Sequence, residues 1–194
     1  MNNLILLIGK TASGKSTIVK SILKYIDNIQ YIKTVTNRPF RSITELNESI
    51  EYLFVNDNQY EELRLKSNNW DHDLIHGYKY GIDLSNLEKD NNYILCVYPD
   101  VNIINKISNL YPFKIIKIYI NTNINLSKKR LINERPLIEV DRVNAEDKIN
   151  LYEVIKICDI IFDPVNDVNK DTNKILKIIN KIIENNENNS LCNK

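Results

Sequence analysis

The sequence predicts an α/β domain in which a mostly parallel β-sheet is covered by helices on both faces. Short apolar, β-branched segments alternate along the chain with segments whose apolar residues recur at helical spacing. A glycine-containing loop follows the first apolar segment and precedes the first helical one. The alternation breaks between residues 34 and 89, which indicates a module inserted into the domain.

The first elements follow each other at short intervals. The apolar run Asn3 to Ile8 is continuous, as expected for a strand that is buried on both faces. Lys15 to Tyr25 has apolar residues at helical spacing, and Ile29 to Val35 alternates like a strand. Next come a polar, irregular segment over 37 to 50, a strand Glu51 to Val55, a helix Asp57 to Lys66 capped by Asp57, and a compact mixed segment Trp70 to Asp83.

The second half of the chain repeats the strand and helix pattern. Tyr93 to Tyr98 is an apolar strand that ends at Pro99, and Lys114 to Ile120 is strongly β-branched. Asp159 to Phe162 predicts a final strand, and the polar tail from Asn185 onward predicts disorder. The predicted helices are Val101 to Leu110, Leu126 to Ile132, Asp141 to Ile157 and Asp171 to Ile183, with a polar segment Asn133 to Val140 after the second of them.

Composition and charge limit the classes of function. The 194 residues carry a net charge of +1, which gives no reason to expect a nucleic acid or an anionic membrane as partner. No apolar run approaches the roughly 20 residues that span a bilayer, and the short apolar N-terminus lacks the pattern of a signal peptide. Three cysteines at unrelated spacing fit neither a zinc site nor a disulfide framework. We therefore expect a cytoplasmic monomer or homodimer that acts on small molecules.

Two of the four glycines lie in the segment Gly9-Lys10-Thr11-Ala12-Ser13-Gly14-Lys15-Ser16. This segment fits G-x-x-x-x-G-K-[ST], the phosphate-binding loop, whose backbone N–H groups point into one concavity at a helix N-terminus. Lys15 can reach the β- and γ-phosphates of ATP, and the Ser16 hydroxyl can ligate Mg²⁺. The predicted ATP-binding residues are Gly9, Ala12, Ser13, Gly14, Lys15, Ser16 and Thr17, with Ser16 as the metal ligand.

The loop predicts a nucleotide-triphosphate site but leaves the reaction open, because ATPases, GTPases and kinases share it. A GTPase would need an N-K-x-D segment late in the chain, and the sequence has none at the right spacing. A motor ATPase would need a longer chain, so a small-molecule kinase fits the length best. The run Lys128-Lys129-Arg130 predicts a helix surface, of which one member could face ATP.

A second basic segment follows the loop. Arg38 and Arg41 lie three residues apart beside Pro39, in a segment without helical spacing. Guanidinium groups bind phosphate bidentately, so the pair can converge on the phosphate of an acceptor monophosphate. The alternative for this segment is a solvated basic loop.

Together these motifs resemble the guanylate kinases. That family has a T-T-R-x-P-R segment soon after its phosphate loop, which here reads T-N-R-P-F-R from Thr36 to Arg41. A Y-x-F strand follows, here Tyr52 to Phe54, and then an acidic residue six before the glycine of a G-x-x-Y-G segment, here Asp71 and Gly77 to Gly81. The resemblance covers roughly residues 3 to 165, and its motifs come in the order of the family.

The resemblance implies a three-layer P-loop kinase fold with an inserted mixed α+β acceptor-binding module and a helical lid. It implies a P-loop core of residues 1–33, 90–132 and 155–185, an acceptor module of 34–89, a lid of 133–154 and a tail of 186–194. The implied roles are catalysis by Lys15 and the lid residues Arg135 and Arg142, acceptor phosphate binding by Arg38, Arg41, Tyr52 and Tyr80, and base binding by Thr34 and Asp71. The implied reaction is Mg²⁺-dependent transfer of a phosphoryl group from ATP to GMP or dGMP.

The chain departs from the family where the acceptor's base is recognised. The family usually has carboxylates in the strand after the module, and here Cys96 and Tyr98 stand at those positions, with Asp100 as a candidate substitute. Ile82 stands where the family often has Ser or Thr, and Asp71 where it usually has Glu. Two alternatives therefore stay open, a kinase for another nucleoside or deoxynucleoside monophosphate, and a phosphopeptide-binding module with weak catalysis.

Overall fold

The computed structural model describes residues 3–75, 77–85, 87–88, 91–110, 114–134, 151–165 and 167–191. Its centre is a parallel sheet of five strands in the order β2-β7-β1-β8-β9. These strands are β1 Asn3–Ile8, β2 Ile29–Tyr31, β7 Asn92–Val97, β8 Lys114–Ile120 and β9 Ile160–Phe162. Every pairing in this sheet is parallel, as predicted for strands joined by helical crossovers.

A second sheet is formed by the inserted segment. Its four strands have the order β4-β3-β6-β5. They are β3 Thr34–Thr36, β4 Tyr52–Phe54, β5 Trp70–Ile75 and β6 Tyr78–Asp83. The last two strands form an antiparallel hairpin, and the first two pair in parallel. The predicted compact mixed segment from Trp70 to Asp83 is therefore this hairpin.

Helices cover both faces of the central sheet. The described helices are α1 Lys15–Tyr25, α2 Ile43–Glu48, α3 Asp57–Lys66, α4 Val101–Leu110, α5 Ile124–Glu134, α6 Leu151–Lys156 and α7 Val168–Leu191. Alternate residues of β1 pack into two separate cores, with Ile5 and Leu7 in one and Leu4, Leu6 and Ile8 in the other. The first core includes α1 and α7, and the second includes α4 and α6, so the chain builds three layers as predicted.

The predicted strand Ile29 to Val35 is in fact two strands in different sheets. β2 pairs with β7 in the central sheet, and β3 pairs with β4 and β6 in the inserted sheet. The chain changes sheets at Ile32 and Lys33, where Ile32 still donates its N–H to the Ile94 carbonyl at 3.0 Å. No glycine or proline marks this change, and apolar residues occur on both sides of it, so the pattern was interpreted as one strand.

The segment 37–50, predicted to be irregular, contains the short helix α2. The Ser42 side chain caps this helix by accepting a hydrogen bond from the N–H of Glu45 at 3.0 Å. None of the residues of α2 is buried, so it has no apolar stripe for a sequence pattern to detect. The predicted cap of α3 was also wrong by one residue, because Asn56 forms a capping box with Gln59 and Asp57 begins the helix.

The described chain ends in a longer helix than the sequence predicted. α7 runs to Leu191, past the predicted end at Ile183 and through most of the segment predicted to be disordered. Of the predicted helix Asp141 to Ile157, residues 151–157 lie within the described part of the chain, and Leu151–Lys156 of these form the helix α6. Within the described part of the chain, no helix is long and apolar enough to cross a membrane.

Gly81 allows Trp70 to pack against the inserted sheet. A Cβ added at Gly81 would lie 2.1 Å from Cζ2 of Trp70, while one added at Gly77 would meet nothing within 4 Å. The Trp70 ring also packs edge-on against Tyr60, with centroids 5.5 Å apart. Trp70 is therefore a packing residue.

We expect Gly81→Ala to lower the free energy of unfolding by about 1–3 kcal/mol, because the added methyl overpacks the Trp70 contact. Urea denaturation followed by Trp70 fluorescence would measure this change. Gly77→Ala is the matched control, since it strains a backbone φ of 80° without a steric clash. A Gly81→Ala protein as stable as the native chain would contradict the packing account.

Candidate active site

The phosphate-binding loop lies between the end of β1 and the start of α1. Ala12 and Gly14 adopt left-handed backbone conformations, with φ of 56° and 99°. Such alternation of backbone conformation directs successive N–H groups into one anion-binding concavity. A Cβ added at Gly9 would lie 2.7 Å from the Ser13 Oγ, so the tight loop needs glycine there.

The side chain of Lys15 folds back over this loop. Its Nζ donates hydrogen bonds to the Gly9 carbonyl at 2.6 Å, the Lys10 carbonyl at 2.8 Å and the Ser13 Oγ at 3.3 Å. The ammonium group is therefore held beside the concavity that the loop encloses. The fit of the loop to a triphosphate thus rests on both its backbone geometry and this positive charge.

A main cleft of about 310 Å³ joins the loop to the inserted sheet. Nine of the predicted site residues line this one cleft, and they come from the phosphate-binding loop, β3, the segment before α2, β4, β5 and β6. They are Gly9, Ala12, Lys15, Ser16, Thr34, Arg41, Tyr52, Asp71 and Tyr80. The fold therefore brings the predicted donor and acceptor residues into a shared space.

Other predicted residues lie elsewhere. Ser13, Gly14 and Thr17 line a second hollow of about 320 Å³ on the opposite side of the loop, which Ala12, Lys15 and Ser16 also line. Arg38 lies behind the wall of the main cleft and is described below. Arg135 and Arg142, together with most of the predicted lid, lie outside the described residues.

Arg130 is the member of the basic run on α5 that faces the second hollow. Its Nη1 donates a hydrogen bond to the Ala12 carbonyl at 3.1 Å, so its charge lies against the phosphate-binding loop. The sequence indicated that one of three basic residues could face ATP but could not select it. Which of the three residues lies against the loop depends on the rotation of α5 about its axis, and helical periodicity does not predict that rotation.

Three side chains form a cross-strand row on the inserted sheet. Thr34 is opposite Ile82, and Ile82 is opposite Asp71, so all three point to the same face of the sheet. All three line the main cleft. The two predicted base-binding residues are therefore neighbours of a single apolar side chain, and the departure at Ile82 lies between them.

Asp71 is nearly buried within this row. Its Oδ1 accepts a hydrogen bond from the backbone N–H of His72 at 2.9 Å. Burial raises the pKa of Asp71 above its ordinary value, although the nearby Lys106 and the His72 N–H counteract part of the rise. A buried carboxylate with free acceptor capacity suits a ligand that presents two N–H donors.

The region predicted to bind the acceptor phosphate contains Arg38 and Arg41, together with a carboxylate, Glu45, that the sequence did not indicate. Arg38 Nη2 and Arg41 Nη1 both donate to Glu45 Oε1, at 2.9 Å and 2.7 Å. The Arg38 guanidinium also lies over the rings of Tyr52 and Phe54, 5.2 Å and 5.0 Å from their centroids. The alternative of a solvated basic loop is therefore wrong for Arg38, whose side chain is almost wholly enclosed.

A further carboxylate lies at the end of β7. The Cys96 thiol donates to Glu51 Oε1 at a sulfur–oxygen distance of 3.4 Å, and both residues line the main cleft. Burial raises the pKa of the Cys96 thiol, and the adjacent Glu51 carboxylate adds to this rise. Cys96 is therefore a neutral thiol, and Glu51 provides a carboxylate beside the position where the family usually has one.

Asp100 does not take over that role. Its Oδ1 accepts hydrogen bonds from the N–H groups of Asn102 and Ile103, at 2.8 Å and 3.3 Å. These contacts cap the start of α4, and Asp100 is absent from the described lining of the cleft. Glu51 was not predicted as a site residue because it is a single acidic residue before the Y-x-F strand, and no spacing in the sequence links it to β7.

Comparison with known proteins identifies this architecture. No family model matches the chain. Two guanylate kinases of Legionella pneumophila, from strains Lens and Paris, are each 22% identical over 156 residues, which cover 77% of this chain and 74% of the relative. The solved guanylate kinase of Anaplasma phagocytophilum has a TM-score of 0.66 at 17% identity and covers 93% of this chain and 85% of its own.

A solved gluconokinase of Sinorhizobium meliloti 1021 is also similar in fold. Its TM-score is 0.53 at 12% identity, and the match covers 97% of both chains. The fold, together with the phosphate-binding loop, is that of the P-loop kinases, as the sequence predicted. Among known proteins the chain is similar to guanylate kinases, which supports the resemblance seen in its motifs.

Proposed function

We propose that the chain transfers the terminal phosphoryl group of ATP to a nucleoside monophosphate, with GMP or dGMP as the leading acceptor. The observation that carries this proposal is the main cleft, in which Lys15 and Ser16 share one space with Arg41, Thr34 and Asp71. The guanylate kinase relatives support the same reaction class.

The donor side of the proposed reaction rests on the loop. Its N–H groups and Lys15 would hold the phosphates of ATP and offset the negative charge that spreads over the transferring group. The Ser16 hydroxyl, which lines the cleft, would hold Mg²⁺, and the bound ion would neutralise phosphate charge. Arg135 and Arg142 are proposed to add positive charge from the lid.

On the acceptor side, a monophosphate would lie in the same cleft as the donor phosphates. Arg41, Tyr52 and Tyr80 line the cleft and would bind its phosphate. Asp71 would accept hydrogen bonds from guanine N1–H and the 2-amino group, and Thr34 would contact the base near O6. Adenine lacks those two donors, so the buried Asp71 carboxylate would keep its hydrogen bond from the His72 N–H but gain none from the base. The reaction needs in-line positioning and charge stabilisation, without a covalent intermediate.

A kinase for another monophosphate is the second candidate. The observation that favours it is the apolar side chain of Ile82 between Thr34 and Asp71, because isoleucine cannot hydrogen-bond a base. The acceptor phosphate and the donor site would be unchanged in this alternative. Only the discrimination between bases would differ.

We test the proposed reaction by measuring ADP release with Mg-ATP and a panel of GMP, dGMP, AMP, CMP, UMP and dTMP. Turnover with GMP or dGMP is the expected result. Turnover with a different member of the panel would support the second candidate. ATP binding without turnover of any acceptor would contradict the proposal and favour a phosphopeptide-binding module.

A further inference from the structure

Glu45 holds both arginines of the acceptor phosphate region at once. Its carboxylate accepts from Arg38 Nη1 at 3.3 Å, Arg38 Nη2 at 2.9 Å and Arg41 Nη1 at 2.7 Å. It also accepts from the backbone N–H of Arg41 at 2.5 Å. One carboxylate therefore fixes two guanidinium groups and the backbone between them.

These three side chains differ in their access to the cleft. The side chains of Arg38, Glu45 and Arg41 are 6%, 18% and 21% exposed. Glu45 and Arg41 line the main cleft, while Arg38 is enclosed behind them between two aromatic rings. Arg41 is therefore the arginine that an acceptor phosphate meets first.

The charge of Glu45 is maintained by its partners. Burial would raise the pKa of its carboxyl group, but the hydrogen bonds from Arg38 and from Arg41 outweigh burial and lower the pKa. The two guanidinium groups and the carboxylate then form a unit with one net positive charge. Such a unit can attract a phosphate while its own groups stay paired.

We propose that Glu45 is a positioning residue for the acceptor phosphate, which holds Arg41 toward the cleft and anchors it through Glu45 to the buried Arg38. This inference rests on the proposed function. A free arginine side chain loses rotamer entropy when a ligand fixes it, and the contact with Glu45 restricts Arg41 before the ligand binds. Arg38 then acts through Glu45, and Arg41 touches the phosphate.

The decisive experiment compares ligands that differ only in their phosphate. We expect Glu45→Gln to weaken binding of GMP about 10–100-fold in calorimetry, since it removes charged hydrogen bonds that orient Arg41. Binding of guanosine, which has no phosphate, and the KM of ATP should stay within about twofold. The KM of GMP should rise about as much as its dissociation constant, with kcat changed much less.

Glu62→Gln is the matched control. Glu62 is exposed on α3, does not line the main cleft and makes none of the described hydrogen bonds to Arg38 or Arg41, so its variant should bind GMP as the native chain does. Glu45→Asp keeps the charge on a shorter side chain that cannot reach both arginines. Glu45→Asp should weaken GMP binding less than Glu45→Gln does. If Glu45→Gln does not fold, the GMP affinity of Glu45→Asp tests the positioning role instead.

Three results would overturn the inference. Unchanged binding of GMP by Glu45→Gln would show that Glu45 does not position Arg41, and tighter binding would show that Glu45 competes with the phosphate. An equal loss for GMP, guanosine and ATP would show a merely structural role. Binding of inorganic phosphate, measured by its competition with GMP, tests the positioning role separately from the proposed function, because inorganic phosphate has no base to be recognised. If the native chain does not phosphorylate GMP, the proposed function fails, and weaker phosphate binding by Glu45→Gln still supports the positioning role.

Discussion

Lys15→Ala is expected to lower turnover by about 10³-fold or more, the scale of a lost charge-stabilising group in phosphoryl transfer. The Lys15 ammonium lies against the phosphate-binding loop, where it hydrogen-bonds two loop carbonyls and the Ser13 hydroxyl. Its removal takes away a positive charge from the place where the proposed reaction develops negative charge. Steady-state ADP release with Mg-ATP and saturating GMP would measure the loss.

The fold should survive this substitution. α1 is anchored by the buried side chains of Ile18, Val19 and Ile22, and Lys15 lies outside that core. Lys24→Ala removes an equal charge from the exposed end of the same helix and serves as the matched control, with turnover expected near the native value. A folded Lys15→Ala protein that retains a tenth or more of the native turnover would contradict the assigned role.

Asp71→Ala is expected to act on acceptor choice. Hydrogen bonds to a charged group contribute about 1.5–3 kcal/mol, so the ratio of kcat/KM between GMP and AMP should fall about 10–100-fold. Asp71→Asn keeps the shape of the side chain and should lose much of the same discrimination, because an amide offers a single acceptor oxygen. An unchanged ratio in Asp71→Ala would show that another residue reads the base.

The pH dependence provides a second readout for Asp71. Its folded pKa is raised by burial, so the carboxylate that would accept hydrogen bonds from guanine is lost earlier on acidification than in a free aspartate. The kcat/KM for GMP should therefore fall as the pH drops through this raised pKa, and Asp71→Asn should remove that part of the profile. Stability has the opposite sign, because the folded state binds the proton more tightly and gains stability as the pH falls from the folded pKa to the unfolded pKa.

Sequence patterns predicted the central sheet because its strands are buried on both faces. A fully buried strand needs a continuous apolar run, which β1 and most of β7 have, while β8 was predicted from its β-branched residues. The phosphate-binding loop was predicted because its chemistry depends on residues that are close together in the chain. These features are local, so a single sequence contains them completely.

The inserted module was less predictable because its contacts are not local. No glycine or proline marks the change of sheet at Ile32, and α2 has no buried residue that could reveal it. Glu45 and Glu51 become part of the site through contacts with Arg38 and Cys96, and the second of these pairs spans 45 residues. No motif predicts such a pairing, because it depends on how two sheets face each other.

The most direct test of the account is product identification by ³¹P NMR after incubation of the protein with Mg-ATP and GMP. Our account predicts that ADP and GDP form in equal amounts, and that neither forms at a significant rate with Lys15→Ala protein. ADP that accumulates together with inorganic phosphate, without GDP, would contradict the central claim that GMP accepts the phosphoryl group.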